Sequence, residues 1–199
     1  MDSSRSEQLA RIEEEVRDLE QSPLYEYRQQ NGYSPVIGEG DSGARVMFIG
    51  EAPGKREAET GRPFVGSAGQ LLIQMLESIG LQREDVYITN VVKDRPPDNR
   101  DPTPAEIELY GPFLDRQLAI IQPEIIVPLG RFATEYILHH FGLPQAGQKM
   151  GDVHGRVLQA EAPYAAVCIV PLYHPAAAFY NRELRDVMEQ DFRTLSKRL

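Results

Sequence analysis

Four side chains with chemically useful groups lie at or after the ends of three apolar runs in this sequence. Glu51 lies in Gly50-Glu51-Ala52-Pro53-Gly54, directly after the run Arg45-Val46-Met47-Phe48-Ile49-Gly50. Phe64 lies a little further on, in Gly61-Arg62-Pro63-Phe64-Val65-Gly66. Asn90 falls near the end of Val86–Val92, and His174 follows Ala165–Tyr173. Together they supply a carboxylate, an aromatic ring, an amide and an imidazole. These groups serve acid–base, stacking and hydrogen-bonding chemistry. Each also has a structural reading. Glu51 could be a solvated loop carboxylate, and Phe64 could be core. Asn90 could satisfy loop amides, and His174 could be a structural hydrogen-bonding group. One placed after each of several strands is a stronger sign than any alone. His139, His140 and His154 have no such placement and read as structural or exposed. The glycines of 50–66 fit neither GxGxxG nor GxxxxGK[ST], so a nucleotide cofactor lacks its fingerprint.

The elements that must position these groups read as alternating strands and helices. Leu9, Ile12, Val16 and Leu19 recur at helical spacing and predict an acidic helix over residues 4–20. Residues 21–44 are turn-rich. Strands are predicted at 45–50, 86–92, 124–129 and 165–173, and helices at 67–79, 103–121 and 131–141 and from about Arg182. Thr103-Pro104-Ala105-Glu106 has the form of a helix start, with a Thr cap, Pro first and Glu third. Residues 143–163 read as irregular, with room for a short hairpin. Strand–helix repetition builds a three-layer α/β/α fold on a four-stranded parallel sheet. Such sheets bind ligands beyond the carboxyl ends of their strands, where the four groups lie.

The chain has 199 residues and a net charge of −9. Its length suits one domain behind a short arm, with an expected division at 1–21 and 22–199. The charge argues mildly against DNA binding by bulk electrostatics. Residues 1–30, however, hold eight acids against four arginines and so carry −4 of the total. A lone cysteine, Cys168, excludes an internal disulfide and a thiolate-rich zinc or iron–sulfur site. No apolar run is long enough to span a membrane, and the start lacks a signal-peptide core, so the expected location is cytoplasmic.

At these residues the sequence resembles the uracil-DNA glycosylase superfamily, and within it the bacterial and archaeal family four. The resemblance rests on GEAPG at 50–54, GRPFVGSAGQLL at 61–72, TNVV at 89–92, RPPDNRDPTPAEI at 95–107 and HPAAAFY at 174–180. It covers roughly residues 22–199. It implies hydrolysis of the N-glycosidic bond of deoxyuridine in DNA, by a base flipped into a pocket. Phe64 would then stack on uracil, and Asn90 would read its pairing edge. His174 would stabilise the departing base. Glu51 would orient or activate water, or stabilise the cationic sugar. The resemblance also assigns Glu57 to guarding the pocket against thymine's methyl group, with Gly50 and Ala52 beside the base. The segment from Ala177 to Tyr180 would enter the vacated space in DNA. Amides around Gly54, Ser67 and Gly130 would meet phosphates.

Family four carries a four-iron four-sulfur cluster on four cysteines. Their places are taken here by Leu19, Ser22, Asp94 and Tyr110. No alternative ligand set stands nearby, so no cluster, metal or other cofactor is expected. The cluster in the family pins the N-terminal segment to the loop after the second strand. Leu19 and Tyr110 are expected to fill its space by packing. The expected partners are uracil-containing DNA, met by a monomer, and a repair or replication protein; the acidic helix 4–20 could contact such a protein but reads rather as packed or solvated. Two competing readings are a catalytically silent DNA- or partner-binding module, and a glycosylase for another base. No basic insertion lies between Gly54 and Gly66, as a covalently trapping relative would require.

Overall fold

The apolar run 46–50 is buried at every residue and forms the central strand β2 (Val46–Gly50). A computed structural model describes residues 4–199 of the chain, so residues 1–3 of the expected arm lie outside the described residues. β2 pairs in parallel with β3 (Tyr87–Asn90) on one side and with β4 (Ile125–Pro128) on the other. β4 pairs in parallel with β6 (Ala166–Ile169). These are the four strands the sequence predicts. The sheet nevertheless has six strands, with β1 (Glu39–Gly40) and β5 (Leu158–Glu161) added in the order β1-β3-β2-β4-β6-β5, which corrects the four-stranded, all-parallel expectation. These two edge strands are antiparallel to their neighbours. β1 is only two residues long. β5 alternates buried and exposed residues, as a half-covered edge strand does, and so presents no continuous apolar run.

Alternation along β2 divides the core into two layers. Val46 and Phe48 face α4 (Ser67–Ser78) and α8 (Glu183–Ser196), meeting Leu72, Leu76 and Phe192. Met47 and Ile49 face α5 (Pro104–Ile121) and α6 (Arg131–His140), meeting Leu114, Leu118 and Ile137. α5 starts as the sequence predicts. Thr103 Oγ1 accepts from Glu106 N at 3.2 Å, and the Glu106 carboxylate accepts from Thr103 N at 2.8 Å. Three short helices lie in segments read as loop: α2 (Tyr25–Asn31), α3 (Lys55–Thr60) and α7 (Met150–Val153). Helices this short owe their stability to tertiary contacts, which periodicity cannot register.

The acidic helix α1 (Arg5–Arg17) lies against α5. Ile12 and Val16 are buried in a third apolar cluster with Leu19, Leu24, Val92 and Tyr110. Arg116 of α5 forms a bidentate pair with Glu15. Among the described residues no helix is long and apolar enough to cross a membrane.

Candidate active site

A cavity of about 560 Å³ opens at the carboxyl ends of β2 and β3, and Glu51, Glu57, Phe64, Asn90 and His174 all line it. Gly50 and Asn90 are register partners at the last rung of the β2–β3 pair. The parallel hydrogen bonding continues past the strands, from Val91 N to Gly50 O and from Val92 N to Glu51 O, both at 3.0 Å. Glu51 and Asn90 thus emerge side by side. Gly50 must lack a side chain here, because a Cβ would meet the Phe64 ring at 2.7 Å and also strike the Asn90 amide.

Asn90 is buried, and its backbone carbonyl accepts from Lys93 Nζ at 2.6 Å. Lys93 is fully buried and also donates to Gln117 Oε1 at 2.6 Å and Thr89 Oγ1 at 2.8 Å. Burial pushes its ammonium well below the usual lysine range. This lysine underpins the strand end from which the Asn90 amide projects.

Phe64 adopts the left-handed backbone, with φ of 50°, which a bulky residue rarely does. Its surroundings enforce that conformation. Arg83 donates to the carbonyls of Phe64 and Pro63. Glu57 Oε1 accepts from Val65 N at 2.9 Å and from Gly66 N at 2.7 Å. Gly69 leaves room where a Cβ would collide with the Phe64 carbonyl. The Phe64 ring lies 5.6 Å from the His174 ring, tilted by 33°. Glu57 therefore organises the loop that presents Phe64, in addition to lining the cavity.

His174 caps the turn Pro175–Phe179. Its Nδ1 accepts from Ala176 N at 3.2 Å. Burial pushes the imidazole down to about 4, with Glu57 pulling the other way. The ring is therefore neutral at pH 7. With Nδ1 accepting, its proton sits on Nε2. Gly130 backs the ring, and a Cβ there would sit 2.9 Å from His174 Cβ. The Gly130 N–H donates to Leu172 O at 2.8 Å. That amide is used within the fold, at the turn into α6.

The Glu51 carboxylate has no hydrogen-bond partner among the described residues. Burial pushes this carboxyl up to about 7; the Asp101 charge adds to the rise and Arg131 opposes it. Asp101 pairs with Arg131 at 2.8 Å on the rim. Asn99, Arg100 and Asp101 form a wall of the cavity that sequence reasoning did not assign. Asp98 and Asn99 turn the chain there with φ of 55° and 53°. Asp and Asn tolerate that conformation better than other side chains, and Asp98-Asn99 was the available signal. Ala52 and Gly54 also line the cavity. Gly54 precedes α3, and Ser67 opens α4. Beyond His174, Ala177 lines the cavity, while Phe179 and Tyr180 stand out at 55% and 91% exposure.

A three-layer α/β fold with this constellation at its strand ends matches the family model described as the uracil DNA glycosylase superfamily, over residues 37–196. The chain belongs to that superfamily. Its relatives include type-4 uracil-DNA glycosylases. The Sulfurisphaera tokodaii protein is 46% identical over 188 residues, covering 94% of this chain and 83% of that protein. The Archaeoglobus fulgidus protein is 45% identical, covering 96% and 93%. The Thermotoga maritima protein is 39% identical, covering 94% and 93%.

Proposed function

We propose that this protein is a uracil-DNA glycosylase acting in DNA repair. It hydrolyses the N-glycosidic bond of deoxyuridine, releases uracil and leaves an abasic site. The observation that carries this reading is a neutral His174 whose Nε2–H is unspent, in one cavity with Phe64, Asn90 and Glu51.

The target nucleotide leaves the stack and its base enters the cavity. The Phe64 ring stacks on the base face. The Asn90 amide pairs with the base edge, donating to O4 and accepting from N3–H. Cytosine presents the opposite pattern and is refused. As the C1′–N1 bond breaks, its electron pair leaves with the base, and the anion's charge spreads to O2. His174 Nε2–H donates to that oxygen, in the manner of an oxyanion hole. A neutral donor serves well, because it need not lose a proton in the step. Water adds to C1′, and its proton passes to the Glu51 carboxylate. The uracil anion takes a proton from solvent. A carboxyl near 7 is matched to accepting that proton.

Glu57 shapes the cavity through the Phe64 loop and so excludes the thymine methyl group. Phe179 and Tyr180, beside Ala177, form an apolar projection suited to the gap left by the flipped nucleotide. Backbone around Gly54 and Ser67 faces the phosphates. Residues 22–199 form the catalytic domain on this reading, and the arm before them packs against it.

The test is an end-labelled oligonucleotide holding one deoxyuridine, followed by alkali and a gel. Thymine, hypoxanthine and xanthine substrates run alongside. Strand cleavage at uracil alone is the expected outcome. Cleavage at none of these bases by folded protein would favour a silent binding module. Preference for hypoxanthine or xanthine would move the assignment to another base.

A further inference from the structure

The positions where the resembling family holds its cluster come together in this fold, and the residues present do not fit that group. Leu19 has no donor atom. Iron–sulfur clusters are held by thiolates, and the lone Cys168 lies on β6. Among the described residues no group of three or more His, Cys, Asp or Glu could hold a metal ion.

What occupies the place is a closed chain of buried hydrogen bonds. Leu24 N donates to Ser22 Oγ at 3.1 Å. The Ser22 and Tyr110 hydroxyls are 2.7 Å apart. Tyr110 donates to Asp94 Oδ2 at 2.6 Å, so its one proton is used there and Ser22 must be the donor to Tyr110. Asp94 also takes Arg28 Nη1 on both carboxylate oxygens, at 3.1 and 3.0 Å. Arg28 then reaches the end of α1, donating to Val16 O at 3.0 Å and Arg17 O at 2.5 Å. Those carbonyls belong to the last turn of α1, where helical partners run out. Arg28 and Asp94 are only 3% and 1% exposed.

We propose that this polar clamp replaces the cluster as the fastening between the N-terminal segment, α5 and the loop after β3. The end of α1 supplies carbonyls and α2 supplies Arg28. The loop supplies Asp94, and α5 supplies Tyr110. The fastening adds these polar bonds to the expected packing, in which Leu19 and Tyr110 lie in one apolar cluster with Ile12 and Val16 of α1. Five residues after Asp94 the same loop becomes the cavity wall Asn99–Asp101. The clamp therefore anchors the start of that loop as well as joining the elements. It needs no metal and is indifferent to oxidation.

Three measurements test this, and none depends on uracil excision. First, the protein is incubated anaerobically with ferrous iron and sulfide, then desalted. It should keep no stoichiometric iron and gain no charge-transfer absorption, and its melting should be unchanged by chelator. Second, Tyr110→Phe keeps the ring but strands Ser22 and Asp94, and should lower Tm by about 4–8 °C. Arg28→Met leaves Asp94 buried and unpaired, and should lower it by about 10 °C. If Arg28→Met fails to fold, Tyr110→Phe decides. Third, amide exchange in the Tyr110→Phe protein should quicken over residues 91–101 and stay unchanged in β4 and α8. Stoichiometric iron with charge-transfer absorption would overturn the proposal. So would a Tyr110→Phe protein that melts within about 1 °C of the wild type with exchange unaltered.

Discussion

The cavity and the clamp beside it are both built from buried polar groups, and they use those groups in opposite ways. In the cavity, polar atoms are left open. The Glu51 carboxylate has no hydrogen-bond partner among the described residues and is pushed up to about 7. His174 commits Nδ1 to Ala176 and keeps Nε2 free. In the clamp, Ser22, Tyr110, Asp94 and Arg28 satisfy one another in sequence. A buried polar group without a partner costs stability and is retained where a ligand will complete it. A closed network specifies one arrangement of the elements it joins. The difference predicts that cavity variants lose rate while keeping stability, and that clamp variants do the reverse.

The largest effect should come from His174→Ala. Removing the single donor to the leaving base should lower the single-turnover rate by about 100- to 1000-fold, with Tm near that of the wild type. A large Tm loss at retained rate would reverse the comparison.

Glu51 should set the pH dependence. Its ionised form accepts the water proton, so the rate should rise with pH through about 7 and then level. Glu51→Gln should lose at least about tenfold at pH 8 and flatten that rise. His174 becomes cationic only near 4, well below this limb.

A smaller loss, about tenfold, is expected for Gly50→Ala, whose Cβ would push Phe64 and Asn90 apart. The loss should fall mainly on KM, read from saturation curves on a deoxyuridine oligonucleotide.

The smallest effect sharpens the comparison through stability. The folded pKa of Glu51 is raised, so folded protein holds its proton more tightly than unfolded chain does. Stability is therefore lost as pH rises from the ordinary carboxylate value through about 7. Glu51→Gln removes that penalty, and should melt roughly 2–4 °C above the wild type at pH 8 and no higher at pH 5. Equal melting at both pH values would mean that the carboxylate is not held at a cost.

The two regions also differ in how much of them could be read in advance. Glu51, Asn90 and His174 follow apolar runs that can only be central strands, so residue type and position sufficed to bring them to one rim. Phe64 was legible as a ring near that rim. Its left-handed backbone was not, because Arg83, Glu57 and Gly69 enforce it from separate elements. The wall Asn99–Asp101 went unassigned because two left-handed residues without glycine set its course. In the sequence Arg28 is only one of four arginines among residues 1–30, and its tertiary partners make it a buried clamp residue. Strand β5 and helices α2 and α3 escaped for a related reason. Each is short and stabilised by what it packs against. Local pattern specifies the chemistry-bearing ends of strands well, and specifies poorly the groups that hold them.

The most direct test is the single-turnover release of uracil from a deoxyuridine oligonucleotide by wild-type, His174→Ala and Tyr110→Phe proteins, each at saturating concentration and well below its Tm. Tyr110→Phe should keep the wild-type rate within about threefold, and His174→Ala should lose at least about 100-fold. Equal rates for wild type and His174→Ala, or no release by any of the three folded proteins, would contradict the proposed function.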